Sequence, residues 1–326
     1  MKPFGARYLL TLQEEGLVET VPSRDDGTTI LERQKTYLLP VQERLDLRAE
    51  LWSMRCHGQA TAKSSIGRLD VLARLIVDGA TVYEGFTPEC LRGGTGDLFV
   101  EVTPITFPIV ITKDVSLTQL RLFKGNPENV RLDDEGTSKK VLASPDRSLR
   151  VNLTPTDIST HRKAVAFKAL RGNGTNQVPI DLRKKGKNGA DPKPHWEPRS
   201  ADVGGRIQIE PDAFYIIRSK ELITVPRDVA VYCRASDEAV GEMRIHYAGF
   251  VHPRFGLERS DGACGTPLIF EVRGHNVPVL LADGEKMASL ILYRMSEEYD
   301  GKETSDYGSQ TLNLSSHFQS WPESDR

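Results

Sequence analysis

The sequence predicts a mainly β protein built as two tandem copies of one β unit. Short apolar runs such as Leu98-Phe99-Val100-Glu101-Val102 and Val229-Ala230-Val231-Tyr232 recur between Gly and Pro, the texture of an all-β fold. A block of the chain also returns 170 residues later without a gap: Leu98–Val102 aligns with Leu268–Val272, Phe107–Ile111 with Val277–Leu281, and Leu120–Phe123 with Leu290–Tyr293. A fixed period of that length marks a repeated structural unit. Finally, each copy sets a Glu inside its apolar strand, Glu101 and Glu271. A carboxylate there costs free energy unless it is paired or used.

In chain order, residues 1–35 read as an irregular polar arm, with Asp25-Asp26-Gly27 as a turn. Residues 36–125 form the first unit. Tyr37-Leu38-Leu39-Pro40 and Leu45-Asp46-Leu47 are short extended segments broken by turns, and Leu51-Trp52-Ser53-Met54 alternates. Leu69 to Val77 is the best helix candidate of this half. Strands follow at Leu98–Val102, Phe107–Ile111 and Leu117–Phe123. Residues 126–202 are the connection and the opening segments of the second half, with a short element at His161–Leu170 and a solvated basic loop at Arg183–Lys187. Residues 203–296 form the second unit, and 297–326 a tail that is loose until Trp321.

Composition narrows the function. A chain of 326 residues with 38% hydrophobic and 27% charged residues suits about two globular domains. A net charge of −2 gives no basic coat for a nucleic-acid polymer. No run approaches a membrane span, and Met1–Gly16 lacks the apolar core of a secretory signal, so a cytoplasmic protein is expected. Cys56, Cys90, Cys233 and Cys264 are widely spaced and read as free thiols. No H-x-E, P-C-x-x-C or paired His/Cys spacing points to zinc.

Candidate chemistry gathers at Lys63-Ser64-Ser65-Ile66-Gly67-Arg68, two cations and two hydroxyls in six residues, a set suited to a polyphosphate. The second copy has Arg234-Ala235-Ser236-Asp237-Glu238-Ala239 at the matching place, with two carboxylates that repel an anion. It carries instead Tyr247-Ala248-Gly249-Phe250-Val251-His252-Pro253-Arg254-Phe255-Gly256, a turn of small residues open to close backbone approach. Gly79 falls at the same 170-residue offset from Gly249.

These residues resemble the dCTP deaminase branch of the dUTPase-like superfamily, most closely its tandem-domain bacterial members. Lys63–Leu69 is similar to the basic-Ser-Ser-x-x-Arg-Leu motif, Leu98–Val102 to the strand of the catalytic Glu, and Ala248–Gly256 to the AGF-x-x-P-x-F-G signature. Trp196-Glu197-Pro198 and Asp212-Ala213-Phe214-Tyr215 fit as well. His252 and Arg254 stand where those members favour Asp and Gly.

The resemblance implies two dUTPase-like β-barrel or β-clip domains in a homo-oligomer, a trimer by preference, with sites at subunit or domain interfaces. It implies hydrolysis of dCTP to dUTP and ammonia without zinc, with Mg²⁺ on the triphosphate. Carried onto this chain, Glu101 or Glu271 shuttles protons, with Glu101 the preferred of the two, Ser64 holds the attacking water and Arg68 stabilises the site. Lys63 and Ser65 contact phosphate. Tyr247, Ala248, Gly249 and His252 fall in the substrate-binding turn, with the Ala248 backbone toward the cytosine amino group or the water. Other readings stay open: a nucleotide-binding relative that acts as a sensor or assembly partner, a dUTPase-type pyrophosphatase, and a purely structural β protein.

Overall fold

The computed structural model describes residues 8–47, 55–91, 95–141, 146–172, 177–235, 243–245, 249–257, 265–301 and 310–323. The chain divides into two compact units, residues 1–129 with 176–183, and residues 130–175 with 184–326.

In the first unit, α1 (Tyr8–Glu14) lies within the arm read as irregular, followed by β1 (Thr29–Leu31). Helix α1 stops in a Schellman arrangement: Gly16 takes φ +65°, its N–H reaches the Gln13 carbonyl, and the Leu17 N–H reaches that of Leu12. The remaining elements are β2 (Tyr37–Asp46), β3 (Cys56–Ala62), α2 (Ser64–Gly67), β4 (Val71–Val77), β5 (Gly85–Phe86), β6 (Thr95–Pro104), β7 (Ile109–Ile111) and β8 (Thr118–Lys124). Three small sheets result. Strand β6 lies between β2 and β4, β3 between β5 and β8, and β7 between β1 and a late strand at Ile180–Asp181.

Strand β2 joins the two segments read as separate, with a register shift between Pro40 and Arg44. Leu51–Met54 lie outside the described residues.

The helix expected at Leu69–Val77 is β4 instead. Its apolar residues fit both periods over so short a run, and β-branched Val71, Ile76 and Val77 favour the pleated alternative. The strand alternates faces: Ala73, Leu75 and Val77 oppose Val102, Val100 and Leu98, whereas Arg74 and Ile76 oppose Glu101 and Phe99. Leu12 of α1 packs on Ile76 and Phe99, joined by Leu9, Leu38 and Tyr83. Helix α1 therefore covers the sheet face that carries Glu101.

The second unit begins with β9 (Arg131–Leu132), α3 (Glu135–Val141), β10 (Ser148–Asn152), β11 (Thr156–Ser159), β12 (Arg162–Ala164) and β13 (Ala166–Ala169). The strand β14 (Ile180–Asp181) belongs to the first unit. Then come β15 (Trp196–Arg199), β16 (Arg206–Ile209), β17 (Phe214–Ile223), β18 (Val229–Ala235), β19 (Met243–Ile245), β20 (Phe250–Val251), β21 (Thr266–Gly274), β22 (Val279–Ala282) and β23 (Lys286–Arg294). The main sheet runs β15-β13-β17-β10-β23-β18-β20, with β21 joined to β17 and β19. Leu149, Val151, Ile217, Phe270 and Leu292 belong to one continuous core. The basic run 183–187 is exposed. Part of the tail is well anchored: Gln310 donates to the Pro267 carbonyl at 2.8 Å, and Phe318 and Trp321 are buried.

Both copies use one pairing plan. Strand β6 sits between β2 and β4 as β21 sits between β17 and β19, and β3 pairs with β8 and β5 as β18 pairs with β23 and β20. The register moves one alignment. The Ala60 N–H donates to the Glu84 carbonyl as the Cys233 N–H donates to that of Gly249. Glu84, and not Gly79, is thus the partner of Gly249, because the loops before β5 and β20 differ in length. By the same register Lys63 matches Ser236, which lies outside the described residues.

Candidate functional site

The turn at Lys63 is fixed from below and from behind. Ile66 and Leu69 are fully buried, the Lys63 N–H donates to the Leu117 carbonyl at 3.0 Å, and Lys63 then caps the one-turn helix α2. Ser65 and Arg68 are buried, while Lys63 and Ser64 are half-buried. Asp70, at φ +58° and 0% exposed, closes the turn. Its carboxylate accepts from the Thr106 hydroxyl at 2.5 Å, and its carbonyl accepts from Ile105 N–H at 2.9 Å. This ties the turn to the end of β6. From Val71, opposite Pro104, three residues of strand lead to Arg74, opposite Glu101, a run of roughly 10 Å at 3.3 Å per residue.

Glu101 is 4% exposed. Arg74 holds one carboxylate oxygen, the Tyr83 hydroxyl donates to the other at 3.2 Å, and the Arg74 guanidinium lies 4.1 Å from the centre of the Tyr83 ring. Glu84 stands beside this group at φ +61°. Burial pushes its carboxyl above the usual range, against the pull of Arg74 and Arg121, and its Oε1 has no hydrogen-bond partner. Lys63, Ser64 and Arg68 are joined through the backbone of the turn, the Arg68 N–H donating to the Ser64 carbonyl at 3.1 Å. Glu101 is bonded to Arg74 and Tyr83 rather than to Ser64 or Arg68.

Sequence reading missed Arg74, Tyr83 and Glu84. A helix at Leu69–Val77 separates Arg74 from Glu101, whereas a strand places them opposite each other. The signal was a lone Arg in an apolar run, level with a lone Glu in the next.

A cavity of about 820 Å³ opens on the other face of the β2-β6-β4 sheet, floored by Leu39, Leu75, Leu98 and Val100 with Lys113 and Thr118 at its rim. None of Lys63, Ser64, Ser65, Arg68 and Glu101 lines it.

In the second unit Glu271 is 1% exposed and faces Ile216 of β17. Burial and the Glu271 carboxylate together push the Cys233 thiol up to about 12. Gly249 is obligatory: a Cβ there would meet the Tyr232 ring at 2.4 Å and the Cys233 carbonyl at 3.0 Å. Gly256, at φ +73°, ends the turn, and a Cβ on it would come within 2.2 Å of the Ile223 carbonyl. His252 Nδ1 lies 2.6 Å from the Pro253 carbonyl, which can only accept, so Nδ1 carries the proton. Its ring meets Phe255 edge-on at 5.9 Å. Tyr247 and Ala248 lie outside the described residues.

Among the described residues no three His, Cys, Asp or Glu side chains are gathered to hold a metal ion. None of the helices among them is long and apolar enough to cross a membrane.

The chain matches two family models. Residues 128–318 match the 2'-deoxycytidine 5'-triphosphate deaminase C-terminal domain, and residues 19–126 its N-terminal domain. The crystal structure of 2'-deoxycytidine 5'-triphosphate deaminase from Agrobacterium tumefaciens is similar at a TM-score of 0.75 and 27% identity, covering 92% of this chain and 85% of that one. No curated protein matches the sequence. With family models spanning nearly the whole of both units and a solved relative of the same length class, the chain belongs to the dCTP deaminase family.

Proposed function

We propose that Glu271 is the proton-shuttling carboxylate with which this dCTP deaminase converts dCTP and water to dUTP and ammonia. The observation that carries the choice is the fate of the other copy: each oxygen of Glu101 already has a partner, Arg74 on one and the Tyr83 hydroxyl on the other. Glu271 is shielded from water on a strand held between β17 and β19, and its carboxylate acts on Cys233, whose N–H donates to the Gly249 carbonyl. In the reaction water attacks C4 of the cytosine ring. The carboxylate takes the proton that water loses, passes it to N3, and a second transfer turns the amino group into ammonia as the C4–N bond breaks. The resemblance assigns the water to Ser64 and the developing charge to Arg68, contributed by another copy in the homo-oligomer.

Lys63 and Ser65 suit the triphosphate, and Mg²⁺ on the phosphate oxygens would neutralise part of its charge. Assembly into a homo-oligomer, with a trimer expected, belongs to the same reading; Val82 and Leu122, 52% and 49% exposed, are surfaces it would cover.

The test is an end-point assay with dCTP and Mg²⁺, products separated by chromatography. Appearance of dUTP, lost in Glu271→Gln, supports the proposal. Formation of dUMP would indicate pyrophosphatase chemistry, and binding without turnover a nucleotide-binding relative.

A further inference from the structure

We infer that the first unit carries a second carboxylate site that the chain closes with its own Tyr83, so that each chain takes up one nucleotide and not two. The inference rests on Glu271 being the working carboxylate. It begins from the shared pairing plan. Strands β6 and β21 place Glu101 and Glu271 at equivalent positions, each just before the valine, Val102 or Val272, that pairs with Ala73 of β4 or Ile245 of β19. Strands β5 and β20 place Glu84, which follows Tyr83, where the second unit has Gly249. The second unit thus has no side chain at this position, and the first has an acid there, next to the phenol of Tyr83.

The filling is specific. The Tyr83 hydroxyl donates to Glu101 Oε2, as an incoming water or amine would. Arg74 neutralises the other oxygen and stacks its guanidinium on the phenol ring, which fixes the ring's plane. Leu9 and Leu12 of α1 pack over the same patch, Leu12 at 2% exposure, and the Gly16 termination holds the helix there. Glu84 adds a side chain where Gly249 has none, at a backbone conformation that glycine adopts more readily. Phenol and guanidinium thus hold one carboxylate oxygen each, and the helix packs on the phenol.

Carboxylate labelling tests this on the full chain. With a carbodiimide and glycinamide, followed by peptide mass spectrometry, Glu101 is expected to react at least tenfold more slowly than exposed Glu19, with no change on adding dCTP and Mg²⁺. Tyr83→Ala is expected to raise the Glu101 rate at least tenfold. Tyr83→Phe, which keeps the ring packed, provides a milder opening and is expected to leave the deamination rate unchanged. Calorimetric titration of Glu271→Gln with dCTP is expected to give one nucleotide per chain. Labelling of Glu101 at the Glu19 rate, protection of Glu101 by dCTP, or two nucleotides per chain would overturn the inference. Absence of any dCTP binding would sink the deaminase reading instead, and the Tyr83→Ala labelling would still decide whether the first site is closed.

Discussion

Glu101→Gln separates stability from catalysis. The amide keeps the shape of the side chain and can still accept from the Tyr83 hydroxyl, but it leaves the Arg74 guanidinium without its countercharge. Removing one partner of a fully buried ion pair costs about 3–5 kcal/mol. The Glu101 side chain is 5% exposed but that of Arg74 is 28% exposed, so water recovers part of the loss. A cost of about 2 kcal/mol follows, close to the worth of one charge-assisted hydrogen bond. For a unit of this size that lowers the melting temperature by roughly 7 °C. Differential scanning calorimetry reads that shift, and a dCTP turnover assay reads kcat in parallel. The expected result is a clear loss of stability with kcat within about threefold of wild type, whereas Glu271→Gln loses about 10²–10⁴ in kcat. A Glu101→Gln protein that melts normally but has lost a hundredfold or more in kcat would refute the reasoning and move the proton chemistry to the first unit.

Other outcomes follow from neighbouring residues. Burial raises the Glu84 carboxyl in the folded state, so folding favours its protonated form and stability falls as pH rises from the unfolded value of 4.5 through the raised one; Glu84→Gln should stabilise the protein at pH 8 and change little at pH 4, read by thermal melts at both. Leu12→Ala should cost about 2–3 kcal/mol of helix docking and speed amide hydrogen exchange over residues 8–14, with slower exchange than wild type counting against the α1 contact. Gly249→Ala must displace the Tyr232 ring, and about 1–3 kcal/mol of overpacking should accompany a fall in kcat/KM. Arg68→Ala should depress kcat/KM at least tenfold, and an unaffected rate would remove the Lys63–Arg68 turn from the chemistry.

The repeat was legible because matching strands need matching residues: buried Phe99 and Val102 fill the same kind of space as Ile269 and Val272, and β6 and β21 align as the residue spacing requires. The turn at Lys63 was legible because polar residues bounded by Ile66 and Leu69 have few ways to fold. What was hidden depended on faces. A seven-residue apolar stretch with one Arg satisfies a helix or a strand until its partner is known, so β4 was misread, and the Arg74–Glu101 pair with it. Helix α1 escaped for a related reason. Its buried Leu12 and partly buried Leu9 make too short a pattern to stand out, and the helix is held by the sheet it covers more than by its own residues. The Glu84–Gly249 correspondence needed backbone hydrogen bonds, since the loops around it differ in length.

Strand β14 has a consequence for anyone who would separate the halves. It runs parallel to β7, giving its Ile180 N–H to Pro108 and the Leu182 N–H to Val110, and it buries Ile180 and Leu182 almost completely. At about 2 kcal/mol for each buried side chain, this late strand supplies a sizeable part of the 5–15 kcal/mol that holds a typical domain folded. A fragment cut after residue 129 would present the bare amides of β7 to any passing strand and should self-associate. The two copies are thus no longer interchangeable modules: the first is finished by peptide that arrives only after synthesis of the second has begun.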